Sequence, residues 1–294
     1  MSGPLVSAAW LRERLDDPAV RVVDCRFRLG EPDAGERMWR EGHIPGAAFL
    51  DVDRDLAAPP GPRGRHPLPD PATFKAAVDG AGITPKTLVV AYDEAAEGGA
   101  ARLWWLLRAH GHERAAVLDG GLRGWRAEGG ELEAGEPESG GPPPRASAGE
   151  ASAPYPAPAT GSTIDAEELL AASRQADAGP LLLDARAPER YRGEVEPIDA
   201  VAGHIPGAVN LPFAGLAPEG RFLAPDELRE LFAAAGVGPG SEPVAYCGSG
   251  VSACVLLLAA ELAGIRGARL YPGSWSEWSG RGLPVERGLP VERD

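Results

Sequence analysis

The chain has 294 residues, of which 44% are hydrophobic and 24% charged, a composition typical of a globular protein with two domains of ordinary size. Its formal net charge of −14 argues against nucleic acid or an anionic membrane as a partner. The longest apolar stretch, residues 253–260, is too short to span a bilayer, and no signal peptide is visible, so we expect a cytoplasmic protein.

The cysteines and histidines form no metal-binding or disulfide pattern. Cys25, Cys247 and Cys254 show no CxxC spacing, which is typical of a protein from a reducing compartment. The five histidines are scattered, without HExxH or a Cys/His quartet. We therefore expect no metal ion.

Four segments of the first half recur in the same order in the second half. The hexapeptide GHIPGA at 42–47 returns unchanged at 203–208. The other three pairs are residues 22–26 with 182–186, 89–93 with 243–247, and 118–125 with 271–278. The chain is therefore a tandem duplication. We place its domains at 1–135 and 163–287, a Pro-, Gly- and Ala-rich linker at 136–162, and a tail at 288–294.

Within the second copy, short apolar runs alternate with helix-like segments. The predicted strands are 181–184, 209–211, 244–246 and 269–271. Helices are predicted from Asp165, where Glu168 completes a capping box, from Asp226, and over 252–263. This alternation indicates an α/β domain with a mainly parallel sheet, which binds ligands at the carboxyl ends of its strands.

Cys247 is the candidate nucleophile, because it stands between the predicted strand 244–246 and the predicted helix 252–263. A glycine-rich turn before a helix directs backbone N–H groups and the positive end of the helix dipole at the sulfur, and both favour the nucleophilic thiolate. The alternative is a buried, inert cysteine. The two glycines and two serines that follow favour a reactive thiol.

The duplicated DxR and GHIPGA segments, the CGSGVSA loop at 247–253 and the SWSEW segment at 274–278 together resemble the tandem-domain rhodanese-type sulfurtransferases. The resemblance implies two rhodanese-like domains, each a mainly parallel sheet flanked by helices, with the catalytic cysteine in the second and a chemically inert first domain. Asp93 stands where Cys247 stands in the second copy, and its carboxylate cannot accept a sulfane sulfur.

The resemblance also implies a chemistry that needs no cofactor. Cys247 takes a sulfur atom from a small anionic donor and becomes a persulfide, from which cyanide, a small thiol or thioredoxin removes the sulfur. The loop N–H groups after Cys247 are expected to hold the negative charge. The loop residues expected to bind the donor are Gly248, Gly250, Val251 and Ser252.

The donor is either 3-mercaptopyruvate or thiosulfate. Thiosulfate-preferring members carry two basic residues directly after the cysteine, whereas this chain has Gly248 and Ser249, as the mercaptopyruvate enzymes do. In those enzymes the loop serine acts with a histidine and an aspartate of the first domain, which match His66 and Asp53 here. The alternative for His66 is an exposed histidine among loop prolines.

Arg190 matches the arginine with which the family binds the donor carboxylate. Its alternative is a surface ion pair with Glu189 or Glu194. The mercaptopyruvate enzymes have a second arginine about nine residues further on, where this chain reads Pro-Ile-Asp-Ala at 197–200. This departure weighs against mercaptopyruvate as the donor, unless another residue such as Arg192 takes the place of the missing arginine.

Residues that both copies keep are expected to serve the fold, since the inert copy keeps them too. They are Arg26 and Arg186 of the DxR segments, as a structural ion pair, and His43 and His204 of the GHIPGA segments. Core positions are expected for Cys25, Cys254, Trp104 and Trp105. Trp275 and Trp278 are expected to line the cleft beside Ser274.

Two other functions compete with this interpretation. A cysteine phosphatase would need an arginine six residues after the nucleophile, where this chain has Ala253, so we exclude it. A persulfide carrier or regulatory module that delivers sulfur to a partner protein without turnover stays open.

Overall fold

The computed structural model describes residues 3–135, 159, 161–173 and 179–288. The described chain divides into two compact units. The first comprises Met1–Ala58, Leu68–Ala159 and Glu219–Phe222, and the second comprises Pro59–Pro67, Thr160–Pro218 and Leu223–Asp294. The predicted linker at 136–162 lies outside the described residues except for Ala159, Gly161 and Ser162, and the predicted tail lies outside them except for Gly288.

The first unit is built on a five-stranded sheet in the order β1-β5-β4-β2-β3, with every neighbouring pair parallel. Its strands are β1 (Leu5–Val6), β2 (Val20–Asp24), β3 (Ala48–Phe49), β4 (Leu88–Tyr92) and β5 (Ala115–Leu118). Its helices are α1 (Ala8–Arg12), α2 (Ala34–Glu41), α3 (Pro71–Gly80), α4 (Gly99–Ala109) and α5 (Gly121–Ala127).

The second unit repeats this plan with four parallel strands in the order β7-β6-β8-β9. Its strands are β6 (Leu182–Asp184), β7 (Val209–Asn210), β8 (Val244–Tyr246) and β9 (Arg269–Leu270). Its helices are α6 (Ala166–Ser173), α7 (Pro188–Tyr191), α8 (Pro225–Ala234), α9 (Ala253–Leu262) and α10 (Ser274–Gly280), with a 3-10 turn at Phe213–Gly215. In a second 3-10 turn, Pro218–Gly220, only Pro218 belongs to this unit. The predicted α/β class and parallel sheets are confirmed.

The predicted elements of the second copy are all present, with small shifts at their ends. Three strands are one residue shorter than predicted, and helix α8 begins at Pro225, one residue before Asp226, because proline suits the first helical position. The capping box of α6 forms as predicted: the backbone N–H of Glu168 donates to Asp165 Oδ1 at 2.8 Å, and that of Asp165 donates to Glu168 Oε2 at 3.1 Å. Local sequence signals therefore place these elements.

The shared DxR and GHIPGA segments hold each unit together, as predicted. Arg26 contacts Asp24 at 2.6 Å in the first unit, and Arg186 contacts Asp184 at 2.7 Å in the second, with both pairs almost fully buried. Each arginine also donates to a backbone carbonyl of its GHIPGA segment, that of Gly42 or Gly203. These bonds tie the end of one strand to the following loop.

The two histidines of the GHIPGA segments are buried and bound to the backbone. His43 Nδ1 lies 2.8 Å from the carbonyl of Trp39, and His204 Nδ1 lies 2.8 Å from that of Tyr191. Burial lowers the pKa of His204, so its neutral form is favoured at neutral pH. The predicted scaffold role of both histidines is confirmed.

All four residues predicted for the core are buried, and two tryptophans predicted for a cleft belong to the core as well. Cys25, Cys254, Trp104 and Trp105 are all buried, as predicted. Trp275 and Trp278 are fully buried as well and belong to the core of the second unit, so the prediction that they line a cleft is wrong. Their indole N–H groups are satisfied inside, by the carbonyls of Val201 and Pro284. In the described part of the chain, no helix has the length and apolar character needed to cross a membrane.

Candidate active site

Cys247 follows the last residue of β8, at the carboxyl end of the sheet in the second unit. Its backbone N–H donates to Ser274 Oγ at 3.1 Å, and its carbonyl accepts from the N–H of Trp275 at 3.0 Å. Ser274 has a φ of 53°, which is unusual for a residue other than glycine, and its hydroxyl donates to the carbonyl of Tyr271. The Cys247 backbone is therefore fixed on both sides.

The loop after Cys247 curls its backbone around the sulfur. The N–H of Gly250 donates to Cys247 Sγ at 3.1 Å. Gly250 has a φ of +81°, and a Cβ added there would lie 2.5 Å from the carbonyl oxygen of Pro272, so only glycine fits. Val251 and Ser252 lead directly into α9, whose N-terminal end adds its dipole. The Cys247 side chain is only 1% exposed, so the sulfur is both buried and supplied with a hydrogen-bond donor.

Ser249 and His66 form a hydrogen-bonded pair, although 183 residues separate them in sequence. His66 Nδ1 lies 2.7 Å from Ser249 Oγ. The alternative of an exposed His66 is wrong, because its exposed fraction is 3%. Residues 59–67 belong to the second compact unit, together with the Cys247 loop, which is why the two side chains meet. The pair gives the loop an imidazole-coupled hydroxyl.

Arg190 pairs with neither Glu189 nor Glu194, the two partners considered from the sequence. Its guanidinium contacts Glu196 at 2.6 Å, and Glu196 itself is 3% exposed. A Cβ added at Gly248 would lie 3.6 Å from Arg190 Nη1, so the guanidinium lies against the residue that follows Cys247. Arg190 is thus held beside the loop by a buried carboxylate.

Glu196 is also bound by Arg186, at 3.3 Å, so the DxR arginine of the second copy reaches the site through this carboxylate. The guanidinium of Arg186 stacks over the ring of Trp275, with its carbon 4.7 Å from the ring centroid. Arg192, in contrast, pairs with Glu194 at 2.7 Å on the surface. The compensation that we considered for Arg192 therefore finds no support in its contacts.

Sequence reasoning missed Arg65 and Asp199. Arg65 contacts Asp199 at 2.9 Å, and a Cβ added at Gly248 would lie 3.4 Å from Arg65 Nη2. Asp199 is also 3.5 Å from Arg190 Nη2, so the two arginines share a carboxylate beside one face of the loop. The available signal was the position of Arg65, directly before a candidate site histidine.

Asp53 lies in the first compact unit, whereas His66 lies in the second. It is exposed, and its backbone N–H donates to Asp51 Oδ1 at 2.8 Å. A link from Asp53 to the Ser249–His66 pair stays a prediction.

Asp93 occupies in the first unit the position that Cys247 occupies in the second. The register shows this, because Tyr92 pairs with Asp24 as Tyr246 pairs with Asp184. Asp93 is buried, and the N–H groups of Gly98 and Ala100 donate to its carboxylate at 3.0 and 3.2 Å. Burial raises the pKa of Asp93, because it penalises the charged form more than these bonds stabilise it. The first unit therefore carries a buried acid where the second carries a thiol.

The site of the second unit thus combines a buried thiol held by a backbone donor, a hydroxyl coupled to an imidazole, and two guanidinium groups. This set suits covalent catalysis on a small anion. In the described ranges, no three His, Cys, Asp or Glu side chains come together in an arrangement that could hold a metal ion.

The comparisons with known proteins agree with this geometry. The family model of the rhodanese-like domain matches residues 7–128 and 165–281. The chain is 47% identical to the probable 3-mercaptopyruvate sulfurtransferase of Pseudomonas aeruginosa over 282 residues, which cover 94% of this chain and 95% of that one. It is 42% identical to the putative thiosulfate sulfurtransferase SseB of Mycobacterium tuberculosis over 297 residues, 97% of each chain.

A solved structure is similar along nearly the whole chain. The crystal structure of SseA from Escherichia coli, described as a 3-mercaptopyruvate sulfurtransferase, superposes with a TM-score of 0.77 at 33% identity, covering 94% of this chain and 100% of that one. The rhodanese-like model matches twice, the relatives align along nearly the whole chain, and Cys247 directly follows strand β8. The chain belongs to the family of tandem-domain rhodanese-type sulfurtransferases, as the sequence predicted.

Proposed function

We propose that this sulfurtransferase takes its sulfur from 3-mercaptopyruvate and that Cys247 carries it as a persulfide. In the first step the Cys247 thiolate attacks the thiol sulfur of the donor and an S–S bond forms. The C–S bond breaks, and its electron pair stays on carbon as the enolate of pyruvate. The proton of the donor thiol ends on that carbon, so pyruvate leaves and Cys247 holds a persulfide anion.

In the second step an acceptor removes the outer sulfur. The persulfide anion first takes a proton from water. Cyanide or the thiolate of a small thiol or of thioredoxin then attacks the outer sulfur, the S–S bond breaks, and the proton leaves with the acceptor before it returns to water. The acceptor leaves with the sulfur atom as thiocyanate or as its own persulfide, and Cys247 returns to the thiolate. The N–H of Gly250, 3.1 Å from Sγ, is the backbone donor that supports the negative charge in this cycle.

The observation that carries the choice of mercaptopyruvate is the 2.7 Å hydrogen bond between Ser249 and His66. Pyruvate is a good leaving group only if its oxygen is stabilised as it becomes an enolate. A serine hydroxyl next to the nucleophile, backed by an imidazole, supplies such a donor. A part for Asp53 in this step rests on the resemblance alone and stays a prediction. Thiosulfate needs no such donor, since sulfite leaves as a stable anion.

The donor carboxylate is assigned to Arg190, whose guanidinium lies against Gly248 and is held there by Glu196. The backbone of Gly248, Val251 and Ser252 forms the rest of the binding loop. A Cβ added at Gly248 would be in ordinary van der Waals contact with both guanidinium groups, so the arginines border this residue closely.

Thiosulfate is the second candidate donor, because a relative at 42% identity is named as a putative thiosulfate sulfurtransferase. The loop positions after Cys247 are neutral, and its arginines are already paired with acidic side chains. A dianion therefore gains less here than a donor with one carboxylate. We expect the kcat/KM for thiosulfate to be lower than the kcat/KM for 3-mercaptopyruvate.

Steady-state cyanolysis with each donor tests this function. The wild-type chain is compared with Cys247→Ser and with Cys25→Ser, a matched control on a buried cysteine of the first unit. We expect turnover with 3-mercaptopyruvate in the wild type and the control and none in Cys247→Ser. Wild-type protein with no turnover on either donor overturns the proposal. A gain of one sulfur atom on Cys247 without turnover would instead identify a persulfide carrier.

We also place the protein in the cytoplasm. All three cysteines lie in the part of the chain that the structure describes, and none is joined to another by a disulfide, which suits a reducing compartment.

A further inference from the structure

We propose that Arg65 is a second carboxylate-binding residue, which grips the donor together with Arg190; this rests on the proposed use of 3-mercaptopyruvate. Both guanidinium groups lie against Gly248, the residue next to the nucleophile. A Cβ added at Gly248 would lie 3.4 Å from Arg65 Nη2 and 3.6 Å from Arg190 Nη1. The two groups therefore border the same small region of the loop.

The backbone around Arg65 is fixed at the site. Its N–H donates to Ser276 Oγ at 3.0 Å. Gly64 before it has a φ of +99°, and an added Cβ would lie 2.7 Å from the carbonyl oxygen of Gly273, so this turn is packed tightly. His66 after it is bound to Ser249 at 2.7 Å. Arg65 thus stands between two anchored residues, and its position relative to the loop is defined.

Asp199 orients the side chain of Arg65. Arg65 Nη1 donates to Asp199 Oδ1 at 2.9 Å and Nη2 donates to Oδ2 at 3.3 Å, a two-point contact that sets the plane of the guanidinium. The Asp199 side chain is 8% exposed, so the pair is shielded from water. Arg65 Nε is buried without a hydrogen-bond partner among the described residues, which leaves the group donor capacity that Asp199 does not use.

Asp199 explains why the second arginine can come from a distant part of the chain. It stands nine residues after Arg190, in the segment where the sequence lacks an arginine, and it holds Arg65 instead. Without Arg65, Asp199 would face the loop with its charge balanced only by Arg190, 3.5 Å away. Removing Arg65 therefore takes away a donor and also leaves an acid near the substrate carboxylate, and both effects weaken binding.

The test measures kcat and KM of full-length Arg65→Gln, Arg65→Lys and the control Arg63→Gln, which changes an exposed arginine two residues earlier. Each is assayed with 3-mercaptopyruvate and with mercaptoacetone, in which a methyl group replaces the carboxylate. We expect Arg65→Gln to raise KM for mercaptopyruvate about 10- to 100-fold with a smaller change in kcat. Arg65→Lys keeps the positive charge but loses the planar two-point contact of the guanidinium, so its KM should lie between those of wild type and Arg65→Gln.

The donor without a carboxylate separates binding from a structural effect. We expect Arg65→Gln and wild type to use mercaptoacetone within about twofold of each other, and Arg63→Gln to match wild type with both donors. An unchanged KM for mercaptopyruvate in Arg65→Gln, or an equal loss with both donors, overturns the assignment. If Arg65→Gln does not fold, Arg65→Lys alone carries the same comparison. If the wild-type protein does not turn over mercaptopyruvate, the proposed function is refuted. This result is distinct from a failure of the Arg65 assignment, in which the wild type is active.

Discussion

Replacing Gly250 with alanine tests whether the backbone of the loop holds the reactive sulfur. Gly250 has a φ of +81°, a conformation that costs an L-residue about 1–2 kcal/mol. The new Cβ would also lie 2.5 Å from the carbonyl oxygen of Pro272, well inside contact distance. That carbonyl cannot retreat easily, because its neighbour Tyr271 is bonded through its N–H to the carbonyl of Ala245 at 3.0 Å. The loop itself must move.

Movement of the loop breaks the 3.1 Å hydrogen bond from the Gly250 N–H to Cys247 Sγ. A hydrogen bond to a charged group contributes about 1.5–3 kcal/mol, so its loss should lower the rate of sulfur transfer about 10- to 100-fold. The free energy of unfolding should fall by about 2–4 kcal/mol, which is the φ cost plus the cost of the displaced loop.

Gly240→Ala is the matched control, since Gly240 has a φ of +77° with nothing within 4 Å of an added Cβ. It should cost about 1–2 kcal/mol in stability and leave turnover unchanged. The assays are urea unfolding and steady-state cyanolysis with 3-mercaptopyruvate. The reasoning is refuted if Gly250→Ala loses no more stability than the control and keeps wild-type turnover.

Three further predictions concern the loop serine Ser249, the buried acid Asp93 and the two DxR arginines. Ser249→Ala should lower kcat for 3-mercaptopyruvate about 100-fold or more and leave kcat for thiosulfate nearly unchanged, whereas an equal loss with both donors would contradict the role of the hydroxyl. Because burial raises the pKa of Asp93, the folded state binds this proton more tightly than the unfolded state, and stability falls as pH rises above about 4. Asp93→Asn should therefore unfold at a higher urea concentration than wild type at pH 7, with a smaller difference at pH 4; a constant difference would be evidence against this account. Arg26→Ala and Arg186→Ala should each lower the free energy of unfolding in urea by about 3–5 kcal/mol, because each leaves a buried aspartate without its ion-pair partner. Only Arg186→Ala should also raise KM, since Arg186 contacts Glu196. The same KM in both variants would argue against this link.

Features that depend on neighbouring residues or on repetition could be predicted from the sequence alone. Strand, glycine-rich turn and helix follow one another around Cys247, so the local pattern was enough to predict the setting of this candidate nucleophile. Repetition added an internal comparison: Asp93 marked the inert copy, and residues kept in both copies, such as Arg26 and Arg186, were assigned to the scaffold. Their buried ion pairs bear this out.

The tertiary structure decided which distant residues meet at the loop. Arg65 and Asp199 are 134 residues apart, and His66 and Ser249 are 183 apart, so neither contact can be read from a local pattern. Hydrophobic periodicity and turn chemistry act over a few residues, whereas these contacts form because residues 59–67 are part of the second compact unit. Burial is decided at the same level. Trp275 stands next to Ser274 in sequence, which suggested a cleft position, yet it is fully buried in the core of the second unit.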